Sequence, residues 1–394
     1  MSQPQALVLD GHLPSALACV RSLRSHDIKV TCGGERKTAM ALHSRYADDS
    51  WVYPSPLIDV DAYVKAVVEK LTQMGDRPVI FCMSDNTLLP LLKNRLQVET
   101  IGRLLAPAES SWTVAFDKAQ TLKLAERLNV PIPKTFFIES HQDLENVLKD
   151  ISTTIIVKPR HSCVWVDGKG VRGKTEYAPD KMEAHKIVEN IQVKTGEWPL
   201  LQERLTGEEF GIFGLWQDGE WKVKFAHRRL RSLDPKGGAS CLRQSIDMPQ
   251  EMSEYASKLM SELKWNGPAM VEFKLDKPAG EPRLMEINGR FWGSLALGIA
   301  SGVDFPYLTY KIAIGEKVDS SENYRVPVSA RSLLADGANL AHVIWNSKES
   351  GAAEAALKNF FFPNEQNLIY DVESWDDIKP SLWQVIDAVA RKLS

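Results

Sequence analysis

Three polar residues occupy alternate positions in the run from Leu284 to Ser294: Glu286, Asn288 and Arg290. In an extended strand alternate side chains share a face. The segment therefore offers a carboxylate, an amide oxygen and a guanidinium to one point, a set suited to a hard divalent cation and a phosphate group together. Upstream, residues 269–276 read as a second strand carrying Glu272, and the turn-rich stretch 277–282 makes the two a hairpin. Glu272 then comes beside Glu286, and three oxygen ligands converge. A lone Glu-x-Asn-x-Arg run is also what a solvated strand face looks like. Here Met285, Ile287 and Phe291 embed it in apolar sequence, where charge must be paired or hold a metal.

Other elements have to bring phosphate-binding cations to that point. Lys118 opens a segment with Leu122, Leu124, Ala125 and Leu128 at helical spacing, closed by Pro131 and Pro133. Residues 154–160 form a β-branched strand that delivers Lys158 at its exit. Residues 200–209 are a strand, Leu200-Leu201-Gln202-Glu203, running through Arg204 and Leu205 into the Gly207 turn and then Glu209. In this order and spacing, from about Leu7 to Glu316, the chain resembles the ATP-grasp superfamily, and more closely its branch of carboxylate–amine ligases.

The resemblance implies roles. Lys118 and Lys158 match the two lysines that reach nucleotide phosphates, as compact ammonium charges suit. Gln202, Glu203, Arg204 and Leu205 match the hinge that holds the adenine, and Glu209 the acceptor for the ribose hydroxyls. Glu272, Glu286 and Asn288 match the metal ligands, and Arg290, with Lys158, the groups steadying the transferred phosphoryl. The implied cofactors are ATP and Mg²⁺, with Mn²⁺ as an alternative metal. The implied reaction joins a small-molecule carboxylate to an amine through an acyl phosphate, releasing ADP and phosphate. A carboxylase, a kinase and a non-catalytic nucleotide-binding regulator are the alternatives. The loop after Lys158 departs from the family: residues 160–174 are basic with scattered glycines, either a lid over the triphosphate or a plain hairpin.

A second cluster points to the acid or amine. Residues 210–216 and 221–230 read as strands joined at Gln217-Asp218-Gly219-Glu220, a tight-turn signal. Alternation puts His227, Arg229 and Arg231 on one face, close to Gly237, Gly238 and Ser240, an arrangement suited to an anion. The first part of the chain alternates strand and helix, the rhythm of a parallel sheet covered by helices. Ligands bind beyond the carboxyl ends of such strands, which makes residues 10–12 and Asp85 further substrate candidates; helix N-caps at Ser15 and Asp85 are the plainer reading.

The expected architecture is α/β and α+β. A Rossmann-like parallel-sheet domain (1–112) precedes a two-lobed ATP-grasp domain (113–319), with a lid lobe at about 120–200 and a catalytic lobe at about 201–319. A C-terminal extension (320–394) ends in an amphipathic helix from Trp375, with Ile378, Leu382, Val385, Ile386, Val389 and Leu393 at helical spacing, a candidate homodimer contact. The net charge of −3 argues against nucleic acid as a partner, and no apolar tract suits a membrane span. Five scattered cysteines without metal spacing indicate reduced thiols and a cytoplasmic location.

Overall fold

The computed structural model describes residues 4–150, 154–234, 237–277, 279–347 and 351–393. Pro235, Lys236 and Pro278 of the expected loops lie outside the described residues, as does the side chain of Leu393.

The first unit runs β1 (Gln5–Val8), α1 (Pro14–Ser25), β2 (Lys29–Gly34), β3 (Asp49–Val52), α2 (Val60–Met74), β4 (Val79–Phe81), α3 (Asp85–Lys93), α4 (Arg95–Ile101) and α5 (Glu109–Phe116). Its four strands are parallel in the order β3-β2-β1-β4. Strands β1 and β4 are all but continuously apolar, as burial on both faces requires. The chain reverses direction across the sheet between β1 and β4, where the Asp10 loop meets the Ser84 loop. Asp10, at φ 62°, is buried there and accepts hydrogen bonds from Met83 N (2.9 Å), Ser84 Oγ (2.9 Å) and Thr87 Oγ1 (2.6 Å). It therefore staples the two loops, leaving little of its carboxylate for a ligand. The cap of α3 is Ser84, with Asp85 one residue inside, and α1 is entered from Leu13 without a side-chain cap. That corrects the expected caps at Asp85 and Ser15.

The small lobe comprises α6 (Lys118–Arg127), β5 (Thr135–Phe137), α7 (His141–Asp150), β6 (Ile155–Lys158), β7 (Cys163–Val166), β8 (Lys169–Arg172), β9 (Glu176–Ala178), α8 (Lys181–Thr195) and β10 (Leu200–Glu203). Its sheet is antiparallel, in the order β5-β10-β6-β9, and Leu144, Val157, Val188 and Leu201 form its core. The basic loop folds as the β7–β8 hairpin. Its tip leans on the first unit: Trp165 Nε1 donates to Pro56 O (2.7 Å) and Gly170 N to Leu57 O (2.9 Å).

The large lobe holds β11 (Glu209–Gln217), β12 (Glu220–Asp234), β13 (Gly237–Ser245), α9 (Gln250–Glu262), β14 (Gly267–Asp276), β15 (Glu281–Asn288), α10 (Leu295–Ala300) and α11 (Phe305–Ala313). Residues beyond 320 add β16 (Ser329–Arg331), α12 (Leu333–Asn346), α13 (Ala352–Phe361), β17 (Leu368–Tyr370) and α14 (Lys379–Leu393). Strands β16 and β17 join the large sheet, whose order is β15-β14-β11-β12-β13-β16-β17. Asp218 and Gly219, both at positive φ, make the tight β11–β12 turn that the sequence announces.

Alternation divides the residues of this sheet between its two faces. Ile212, Val271, Phe273, Leu284 and Ile287 pack on α9 through Met252, Ala256 and Leu259. The other face buries Phe213, Leu215 and Phe225 against Trp292, Leu295, Phe305 and α1 of the first unit. Where that apolar cover ends, the same face carries Glu209, Glu272, Glu286 and Arg229.

Candidate active site

Antiparallel register fixes the centre of the site. Glu272 on β14 lies directly opposite Glu286 on β15, and opposite residues share a face. A bulge follows, so that Phe273 pairs with Leu284 and Met285 is the extra residue. Strand β15 stops at Asn288, which corrects the extended run to Arg290: that residue lies past the strand in a bend. Its guanidinium turns back and donates to Asn288 Oδ1 (3.0 Å), so the expected grouping survives by a different backbone route. Gly289 permits this turn, since a β-carbon there would stand 2.5 Å from the Trp265 ring.

Lys118 is the first residue of α6. Its cap, Asp117, accepts from Ala119 N (2.9 Å) and pairs with Arg160 just after β6, while Lys118 N donates to Arg160 O (2.9 Å). Burial works to raise the Asp117 pKa, but Arg160, the Gln120 amide and His161 together outweigh it and hold the carboxyl below its ordinary value. This junction aims the Lys118 ammonium at Glu286 Oε2, 3.5 Å away, and at Ser162 Oγ, 3.3 Å away. Lys158, last in β6, has no hydrogen bond or ion pair from its ammonium among the described residues; burial, with Lys118 and Lys274 nearby, draws its pKa down to about 8 against the pull of Glu286 and Glu272.

The two facing glutamates divide a proton unequally. Burial, together with Glu286 and Glu209, pushes Glu272 up to about 7 despite Arg229. Burial acts on Glu286 too, but Lys118, the Asn288 amide, Lys158 and Arg290 outweigh it and hold that carboxyl below its ordinary value. Asn288 Nδ2 donates to Glu286 Oε1 (3.0 Å), which leaves its oxygen facing Arg290. Two crowded carboxylates and an amide oxygen fit a hard divalent cation. Among the described residues no group of three or more His, Cys, Asp or Glu side chains could hold a metal by itself. An ion bound here would need further ligands from phosphate oxygens or water, the usual habit of Mg²⁺.

Around this centre the charges interlock. Glu209, expected at the ribose, is held by Lys274 Nζ (3.1 Å) and by Arg229, whose other nitrogen lies 3.5 Å from Glu272. Lys274 was not foreseen; its position two residues after Glu272 on one strand face was the available signal. Arg290 Nε donates to Asp85 (2.8 Å), so that Asp85, from the first unit, braces the arginine. Gln202 is fully buried in the small sheet and donates to Thr135 Oγ1 (2.9 Å), leaving its Oε1 without a partner. Glu203 pairs with Lys134 (2.8 Å), Arg204 lies over Tyr177, and Leu205 is half-buried at the crossing between the sheets.

The expected anion cluster divides. His227 is opposite Ser245 and Arg229 opposite Arg243, but a bulge at Leu230 sets Arg231 against Leu242. The alternation that placed Arg231 beside Arg229 fails for that reason, and the Arg231 guanidinium is taken by Asp336 of α12 (2.6 Å). Gly237 opens β13, Gly238 O accepts from Arg229 Nη1 (2.7 Å), and Ser240 Oγ bonds to the carbonyl of Leu242 (3.2 Å). The buried Arg243–Asp371 pair ties β13 to the segment after β17.

A family model described as ATP-grasp in the biosynthetic pathway with Ter operon matches residues 186–333. The carbamoyl phosphate synthase large chain of Methanothrix thermoacetophila is 24% identical over 329 residues, which cover 78% of this chain and 28% of that one. This chain thus spans less than a third of that relative's length. Among solved structures, an L-amino acid ligase from Bacillus licheniformis superposes with a TM-score of 0.58 at 17% identity, over 80% of this chain and 75% of the other. The biotin carboxylase domain dimer of a Hydrogenobacter thermophilus 2-oxoglutarate carboxylase, in complex with MgADP, ADP and bicarbonate, gives 0.61 at 17% identity, over 81% and 71%.

Proposed function

This chain has the ATP-grasp fold, and from that premise we propose that it is an ATP-dependent ligase joining a small-molecule carboxylate to an amine through an acyl phosphate. The observation carrying the proposal is the convergence of Lys118, Lys158, Glu272, Glu286, Asn288 and Arg290 from four separate parts of the chain on one face of the large sheet. Lys118 and Lys158 bind the phosphate oxygens of ATP. Arg290, braced by Asp85 and Asn288, orients the transferred phosphoryl group against the attacking carboxylate. Glu272, Glu286 and Asn288 would hold Mg²⁺, which when bound would supply neutralisation of the phosphate charge. The amine then displaces phosphate from the acyl carbon, and no protein nucleophile is needed. The hinge role of residues 202–205 and the ribose role of Glu209 stay within the proposal; Glu209 is freed for ribose by surrendering Lys274 or Arg229.

Bicarbonate is itself a carboxylate, and a carboxylase would use the same residues; the biotin carboxylase and carbamoyl phosphate synthase similarities favour including it as a second acid. No helix among the described residues is long and apolar enough to cross a membrane. The five cysteines are unpaired and buried, which supports a cytoplasmic setting. Leu382, Val385, Ile386 and Val389 are exposed along α14, with Ile378 exposed just before it, and support a homodimer, whose test is the mass in solution. The function is tested by ADP release with Mg-ATP over pooled carboxylates, amines and bicarbonate. Release that requires both an acid and an amine supports the ligase; release with Mg-ATP and acid alone, unaffected by amines, refutes it.

A further inference from the structure

The β7–β8 hairpin is laid along α3 of the first unit. Trp165 fixes one end of the contact: its indole donates to Pro56 O (2.7 Å), and Lys93, the last residue of α3, lies over its ring at 5.7 Å. Gly170, across the hairpin, donates from its N–H to Leu57 O (2.9 Å); a β-carbon there would stand 2.4 Å from Leu57 Cδ2, so glycine permits the approach. Helix α3 rises about 12 Å from Asp85 to Lys93, and two residues of β7 cover about 7 Å of that length.

Residues opposite one another in an antiparallel pair share a face. Trp165 is opposite Gly170, and Cys163, two residues back, is opposite Arg172. Cys163 and Arg172 are therefore on the face that Trp165 turns to the first unit, displaced toward the Asp85 end of α3. The charges around the buried Cys163 thiol agree with this placement. Burial pushes it up to about 11, Arg172 pulls it down, Asp85 pushes it up, and Lys93 acts least. The backbone is pinned on both sides of Arg172, by Gly170 and by Gly173, whose N–H donates to Ser162 O (3.0 Å). Ser162 Oγ in turn is 3.3 Å from Lys118 Nζ, which joins the root of the hairpin to the phosphate site.

The neighbouring cations are all engaged. Lys118 faces Glu286, Arg290 holds Asp85 (2.8 Å), and Lys93 rests on the Trp165 ring. Arg172 is exposed, and its guanidinium has no hydrogen bond or ion pair among the described residues. We propose that Arg172 holds the carboxylate of the acceptor, which makes the amine substrate an α-amino acid. The proposal rests on the ligase reading above. Nucleotide phosphates take Lys118 and Lys158, and Arg290 serves the phosphoryl group and the acid, so the remaining cation needs an anion of its own. A guanidinium fork takes a carboxylate through two parallel hydrogen bonds. With that carboxylate at Arg172, the amine one carbon away is turned toward the acyl group at Arg290.

The test compares acceptors with and without a carboxylate. Wild type and Arg172→Gln are given Mg-ATP, pooled carboxylates, and either the common amino acids or their α-amides, which keep the amine and lose the carboxylate. Mass spectrometry reads the amide products; hydroxylamine, a trap without a carboxylate, reads the acyl phosphate as hydroxamate. In Arg172→Gln, products from subsaturating amino acids should fall roughly 10- to 150-fold, with hydroxamate and α-amide products unchanged. Arg172→Lys should recover part of the loss, keeping the charge without the fork. An equal fall for both acceptor sets makes Arg172 a structural part of the hairpin and overturns the proposal. So does an unchanged amino-acid rate, wild type that uses α-amides as well as amino acids, or hydroxamate without amide from either set. Wild-type protein that yields no hydroxamate from any acid refutes the ligase reading itself, a result distinct from these.

Discussion

Lys158 gives opposite signs for stability and binding. Its ammonium is held in a largely buried place without an ion pair, and burial draws its pKa from 10.5 to about 8. That gap corresponds to about 3 kcal/mol of destabilisation at neutral pH. A lysine lowered in the folded state binds fewer protons folded than unfolded between about pH 8 and 10.5. The deficit is therefore full below about pH 8 and fades as pH rises to 10.5. Lys158→Met keeps the length of the side chain and removes the charge. At pH 7 it should stabilise the nucleotide-free protein by up to about 3 kcal/mol, seen as a higher urea midpoint; the attraction to Glu286 and Glu272 is already contained in that figure. The same change removes a charge-assisted contact to phosphate worth about 1.5–3 kcal/mol, weakening Mg-ATP roughly 10- to 150-fold. Urea titration and calorimetric titration with Mg-ATP read the two effects separately. A variant that is less stable than wild type yet binds Mg-ATP equally well would refute the reasoning.

Three further outcomes follow from the same geometry. Glu286→Gln should lower ADP release by about 100-fold or more with the circular dichroism spectrum unchanged, because it removes one of the two facing carboxylates. Asp387, on α14, accepts from Thr38 Oγ1 (2.6 Å), Arg36 Nε (3.2 Å) and Arg391 Nε (2.8 Å); burial opposes its ionisation, but these bonds bring its pKa to about 2. Asp387→Asn should cost about 2 kcal/mol near neutrality, seen as faster hydrogen exchange in α14. Because the folded pKa is depressed below 3.8, that contribution is full above about pH 4 and vanishes as pH falls toward 2. Trp165→Phe deletes the bond to Pro56 O at the tip of the β7–β8 hairpin; a loss of about 1 kcal/mol should speed exchange there roughly fivefold, measured by mass spectrometry.

The hairpin of β14 and β15 was legible because residues of one polarity recur at every second position, and register then sets Glu272 against Glu286. The helix beginning at Lys118 was legible from its helical spacing, the strand ending at Lys158 from its β-branched run, and the turn at Asp218-Gly219 from its residue types. What the pattern could not carry were single-residue departures from it. The bulges at Met285 and Leu230 each shift the register by one, and the second sends Arg231 to Asp336. Contacts between distant segments were equally hidden: Asp85 and Arg290 are 205 residues apart, and Arg243 meets Asp371 across 128. Strands β16 and β17 are three residues each, too short for alternation to stand out, yet they extend the large sheet. The side chain of Gln202 enters the small sheet and donates to Thr135, a contact across 67 residues that no local pattern reveals.

The central claim, that the carboxylate is activated as an acyl phosphate, is tested most directly by oxygen transfer. Wild-type protein with Mg-ATP and amine is given carboxylates labelled with oxygen-18, and the inorganic phosphate released is weighed by mass spectrometry. The account predicts phosphate carrying one labelled oxygen from the acid, in step with ADP and absent from Glu286→Gln. ADP formed with unlabelled phosphate would contradict it.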